Sequence, residues 1–173
     1  MLVRSLKFAL LGALFALSLA GAAPALEISK VPKETVELFM RAAPADARTF
    51  LAGYTVHVKL GRVQVKVLNV LPISTIAILY FAPDGALLGW SDKSEVIERG
   101  IWKIDSKPNG NNVCMFFDKS KGAGVCTILN FGRPTFLESV KGNPFGLKAN
   151  APVPYDLGRV GVSLRAAAKK LGL

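Results

Sequence analysis

The chain is poor in the residues that catalysis and metal binding draw on most. Among 173 residues there is one histidine, His57, and there are two cysteines, Cys114 and Cys126. A zinc site needs three or four nitrogen, sulfur or carboxylate ligands at set spacings, and this inventory does not supply them. Eleven residues separate the cysteines, so there is no C-x-x-C and no thioredoxin-like redox motif. Acidic residues are also scarce, 12 against 22 lysines and arginines, for a net charge of +10. A membrane-spanning run is missing as well. The longest apolar stretch, Phe8 to Ala20, is broken by Gly12 and Ser18 and falls well short of the ~20 residues a span requires.

What that stretch offers instead is a signal peptide. Arg4 and Lys7 precede it, and Ala23 and Ala25 occupy the −3 and −1 positions of an Ala-x-Ala cleavage site. Cleavage after Ala25 is expected, with no cysteine beside it to carry a lipoprotein anchor. The expected location is the periplasm or the exterior, with no stable membrane span. The remaining 148 residues suit one domain. An exported chain meets an oxidising environment in which two thiols tend to pair. Cys114–Cys126 is therefore expected to be a structural disulfide.

Without Arg4 and Lys7 the charge is still +8, 20 bases against 12 acids. A basic exported protein is drawn to anionic surfaces, here an anionic envelope component or an acidic protein partner. Nucleic acid is not an expected partner, because export removes the chain from it. No cofactor, metal or catalytic residue is expected.

Along the chain, VPKETVELFMRAAP reads as a short helix. Pro32 suits its first turn, Glu34 and Glu37 lie near its positive end, and Val36, Leu38, Phe39 and Met40 give apolar contacts. Pro44 is expected to end it, with further helical turns before Gly53. From Tyr54 the period changes to two: YTVHVKL and RVQVKV alternate, with a parity switch at Gly61-Arg62. STIAILYFA, the turn Pro83-Asp84-Gly85 and ALLGWS predict a hairpin. GIWKID, NVCMFFD, VCTILNF and TFLESV continue the series between brief turns.

About eight short strands with no helix long enough for a parallel crossover predict a mainly β fold. The expected form is an antiparallel up-and-down meander, or a small calycin-like barrel, over a short N-terminal helix. The expected segments are a signal peptide (1–25), a helical segment (26–53), the β domain (54–142) and an extended tail with a short C-terminal helix (143–173).

Alternation turns His57 away from Val56 and Val58, toward the expected solvent face. That face also carries Lys59 and, past the turn, Arg62 and Lys66, a candidate anion-binding stripe or an ordinary solvated face. KGAG at Lys121–Gly124 lacks the full phosphate-loop pattern and sits between strands. Asp84, Asp92, Glu95, Glu98 and Asp105 fall in or beside turns, without the paired spacing of glycoside chemistry. If Cys114 and Cys126 flank a turn centred near Ser120 they stand directly opposite, at disulfide range.

LYFAPDGALLGWSDKSEVIERGIWKID, followed by VCMFFD and VCTILNF, resembles the central pattern of a family of small exported bacterial envelope domains of unknown function. Gly85, Gly100, Trp102, Cys114 and Cys126 carry the likeness, which spans Leu79 to Phe131. It implies an exported β-rich domain with a cysteine pair and transfers no catalytic residue. Two functions are compatible with these features: a non-enzymatic envelope-interaction module with a basic face, or a lipocalin-like carrier of a small apolar molecule. A hydrolase is a weaker third.

Overall fold

In a computed structural model of the chain, the described residues are 26–59, 76–92, 94–120, 124–128, 136–158 and 163–173. The expected signal peptide and the expected strand Arg62–Val67 lie outside them. Among them, eight strands and three short α-helices occur in chain order. They are β1 (Ser29–Lys30), α1 (Lys33–Arg41), α2 (Pro44–Thr49), β2 (Tyr54–Val58), β3 (Ala77–Phe81), β4 (Ala86–Ser91), β5 (Glu98–Lys107), β6 (Gly110–Phe117), β7 (Gly124–Ile128), β8 (Phe136–Lys141) and α3 (Leu164–Leu171). The protein is mainly β, as the two-residue period requires. Pro44 does not merely end α1: it opens α2 at the first helical position, where its missing N–H has no partner to lose.

All the pairings are antiparallel, and the strands lie in the order β1-β8-β2-β3-β4-β5-β6-β7. The meander β2 to β7 thus has β8 returned to its first strand, and the sheet does not close. Its curl follows from chain length. Phe136 shares a row with Val58, Ala77 and Ser91, whereas Ile128 shares one with Asn112 and Asp105. In a flat sheet those ends would be six strand spacings apart, about 29 Å, and offset by roughly 30 Å along the strands. The eight Cα steps from Ile128 to Phe136 reach at most about 29 Å. A flat sheet is out of reach.

The concave side is filled by Val56, Val58, Leu79, Phe81, Leu87, Trp102, Val113, Met115 and Phe136, with Phe39, Ala47 and Leu51 brought by the helical segment. Phe81 meets Trp102 edge-on at 5.3 Å, a favoured aromatic geometry. The Trp102 indole donates to the Ala82 carbonyl, and the Arg48 guanidinium lies 4.5 Å over its ring. The C-terminal end of α1 is pinned by Asn111 on β6. Its buried amide donates to the carbonyls of Phe39 and Ala42, which the helix itself leaves unpaired.

The convex side is covered in part by the segment after β8. Expected as an extended tail, it packs as a strap. Phe145, Leu147, Leu157, Leu164, Ala167 and Ala168 bury against Ile28, Ile78, Trp90, Ile97 and Val140. The Trp90 indole donates to the Tyr155 carbonyl, and residues 150–153 pair with Glu95 to Ile97. Ser163 caps α3 through the Ala166 N–H, and Gly172 ends it in the left-handed region.

Two glycines are needed where they stand. Gly85 has φ +96° in the hairpin turn, where the Asp84 carboxylate accepts from the Ala86 N–H. Gly100 faces the Phe116 carbonyl so closely that a methyl group would overlap the backbone of β6. Cys114 and Cys126 are register partners joined by a disulfide, Cα–Cα 3.9 Å, at the β6–β7 pairing. Closing this loop stabilises the chain by about 3 kcal/mol on the chain-entropy model. For a chain of this size, Cys114→Ser should lower Tm by roughly 6–12 °C. An equal Tm in scanning calorimetry would show that the bond does not hold the register. Gly100→Ala should cost about 1–3 kcal/mol in urea unfolding, and a neutral result would mean that β5 and β6 can separate freely at that point.

Candidate functional site

Two places gather chemistry that the strands alone would not predict. One is the convex layer around His57. A register shift between His57 and Val58 sets His57 opposite Glu138 while Val58 faces Phe136, skipping Leu137. That irregularity puts Phe136 on the concave side and the Glu138 carboxylate on the convex side, beneath the strap.

His57 is therefore not on a solvent face. It is 4% exposed, and the expectation that it belongs to an anion-binding stripe is corrected. Alternation gave the correct side of the sheet. The error lay in treating that side as wet, since the strap covering it comes from more than eighty residues away. Of the stripe's other members, Lys59 is exposed, and Arg62 and Lys66 lie outside the described residues.

Glu138 Oε2 accepts the Leu164 N–H at 2.5 Å, at the first residue of α3. A carboxylate there satisfies an unpaired donor and complements the positive end of the helix dipole. His57 Nδ1 is 3.9 Å from the same oxygen, too far for a hydrogen bond, and both ring nitrogens are without a partner. Burial lowers the His57 pKa from its ordinary 6.5, and the Glu138 carboxylate opposes that shift more weakly. The ring is held neutral. No hydroxyl or thiol is hydrogen-bonded to it among the described residues, so a His-activated nucleophile is not assembled here.

The second place is a cleft of about 360 Å³ on the concave side, where α1 and the end of α2 face β1, β8 and β2. Its apolar wall comes from Val31, Val36, Phe39, Phe50, Leu51, Tyr54, Val56 and Phe136. Phe39 and Phe50 meet edge-on at 6.3 Å. The hydroxyl-bearing residues Ser29, Thr35, Thr49 and Ser139 supply the polar part, with Ser29 and Ser139 opposite each other in register. Lys30 also borders the cleft, but its register partner is Glu138, whose side chain belongs to the convex layer.

The cleft uses none of the residues singled out from the sequence as candidate sites. Val36 and Phe39 were readable as apolar helix positions, but nothing local says that the helix stands off the sheet at one end. Among the described residues, Asp105, Cys114 and Cys126 are the cluster whose potential metal-ligand atoms come closest, within 4.8 Å. The two sulfurs are joined to each other and offer no thiolate.

No helix among the described residues is long and apolar enough to cross a membrane. The chain matches no protein-family model, no curated protein and no solved structure.

The His57 layer makes stability depend on pH with a definite sign. A depressed folded-state pKa means that the unfolded chain takes up a proton first as pH falls below 6.5. The stabilisation is complete above that value and is lost as pH falls through the folded pKa. Urea unfolding at neutral and mildly acidic pH should show a smaller loss for His57→Gln than for the unaltered protein. Equal losses would place the acid sensitivity elsewhere.

Proposed function

We propose that this protein is a non-enzymatic, exported binding module that carries a small apolar molecule in the cleft between α1 and the β1–β8–β2 side of the sheet. The observation that carries the proposal is the cleft itself. Its volume of about 360 Å³ falls within the range of small-molecule sites, and its wall is predominantly aliphatic and aromatic. A few hydroxyl-bearing residues beside such a wall suit a largely neutral ligand with one or two hydrogen-bonding groups. The centre of the curled sheet is filled by Phe81, Trp102 and their neighbours, so the ligand sits under the helices rather than along a barrel axis.

Export is part of the same reading. The disulfide and the lack of a membrane-crossing helix among the described residues are compatible with it, and a periplasmic location follows from the leader-like residues 1–25. Membership of the envelope-domain family rests on Gly85, Gly100, Trp102 and the two cysteines. The structure gives these residues roles in turn, close strand contact, core and staple, which any such domain would need.

The cleft can be closed without disturbing the core. Ser139 is half-buried at its wall, and Ser139→Phe should occupy the space while leaving Tm near its original value. Titration with an environment-sensitive apolar fluorophore should show saturable binding that added salt leaves unchanged, and S139F should weaken it at least ten-fold. Binding that is absent, or that persists undiminished in the folded variant, would sink the carrier reading.

A further inference from the structure

The strap covers the convex side only as far as β4 and the segment Glu95 to Ile97. Beyond it, the outer face of β5 is exposed at Arg99, Ile101 and Lys103, while Asn112 and Cys114 on the same side of β6 are buried. Trp102 is in the concave core, so alternation sends Arg99, Ile101 and Lys103 outward along β5. Ile101 is 59% exposed, one of three large apolar side chains so exposed among the described residues. Its register partner is the half-buried Phe116, and the Lys103 ammonium lies 5.1 Å over the Phe116 ring. The row of Lys103 continues through the buried Cys114 to the exposed Cys126, so the disulfide anchors this side of the sheet.

An exposed isoleucine beside an aromatic ring, with a cation two residues away on each side, is an amphipathic arrangement. Farther along the strand Lys107 pairs with Asp105 at 3.2 Å, which cancels that charge. Asp118 and Lys119, both exposed, follow β6 in a 3-10 turn. Among the described residues the region therefore holds four cations against two acids, and Arg99 and Lys103, which make no ion pair among them, flank its apolar centre.

We infer that this face docks on an anionic phospholipid surface, with Ile101 and Phe116 entering the headgroup layer and Arg99 and Lys103 meeting the phosphates. Charge complementarity favours it, since each Lys or Arg near such a surface strengthens binding roughly five-fold and the chain is basic overall. Shape favours a bilayer over an acidic protein. The outside of a curled sheet is convex, and a bilayer yields to a protruding side chain. The cleft opens on the opposite side of the sheet, so docking leaves it accessible.

The test is co-sedimentation of the disulfide-intact protein with phosphatidylcholine vesicles, with and without phosphatidylglycerol. Binding should require the anionic lipid and decline with salt. Arg99→Glu/Lys103→Glu should weaken it at least twenty-five-fold. The charge-matched pair Lys148→Glu/Lys169→Glu on the strap should change it less than five-fold. Ile101→Ser should weaken binding several-fold with charge unchanged, the sign of insertion rather than attraction alone. All these residues are exposed, and an unchanged Tm would confirm intact folding. The inference is overturned if anionic vesicles are not bound, if R99E/K103E binds as the unaltered protein does, or if the face captures an acidic protein but no vesicles.

Discussion

A sheet whose middle strands are apolar on both faces has to be covered twice, and the rest of this structure depends on that constraint. In β3, Leu79 and Phe81 look toward the helices while Ile78 and Tyr80 look toward the strap. No single layer could bury both rows. The chain brings α1 and α2 from before the sheet and residues 143–173 from after it. Each cover is tied down by a polar contact as well as by area: Asn111 to the end of α1, and Glu138 to the start of α3. Burying those groups is favourable only because each has found its partner.

Much of the β architecture was legible because it is local. Alternation located β2, apolar runs between brief turns located β3 to β8, Asp84-Gly85 marked its hairpin, and the cysteine spacing matched the register of β6 against β7 for a turn centred near Ser120. The return of β8 to β2 was not legible, since no local pattern says which distant strand an edge will meet. The burial of His57 was missed for a related reason. Period two assigns a residue to a face, but whether that face is dry depends on chain contributed from far away. Glu138 did leave a trace. A carboxylate between Phe136 and Val140 in a strand is a polar group in an apolar row, and such a group needs a partner. The bulge that sends Phe136 and Glu138 to opposite sides could not be read from the residues. The cleft left no trace at all, because it is a property of how a helix rests on a curved surface.

The functional features divide between the two sides in a way the composition did not foretell. The concave side holds a neutral, mostly apolar recess, while the convex side beyond the strap presents cations around an exposed isoleucine. Among the described residues, exposed cations also stand on β5, at Arg99 and Lys103. A carrier that loads or unloads at a lipid surface would need both: a dry compartment for cargo and a separate means of staying near the surface where cargo partitions.

The strap also sets an order on maturation. It lies C-terminal to all the strands, so while the chain is being synthesised or threaded through a membrane, the sheet can pair before residues 143–173 arrive. During that interval Ile78, Trp90 and Val140 face water, and the Glu138 carboxylate lacks its helix. A nascent sheet in that condition is adhesive, with an uncovered apolar face and an unsatisfied edge. Holding the chain unfolded until residues 143–173 have emerged avoids that hazard. The layering of the fold thus sets the moment at which folding can safely begin.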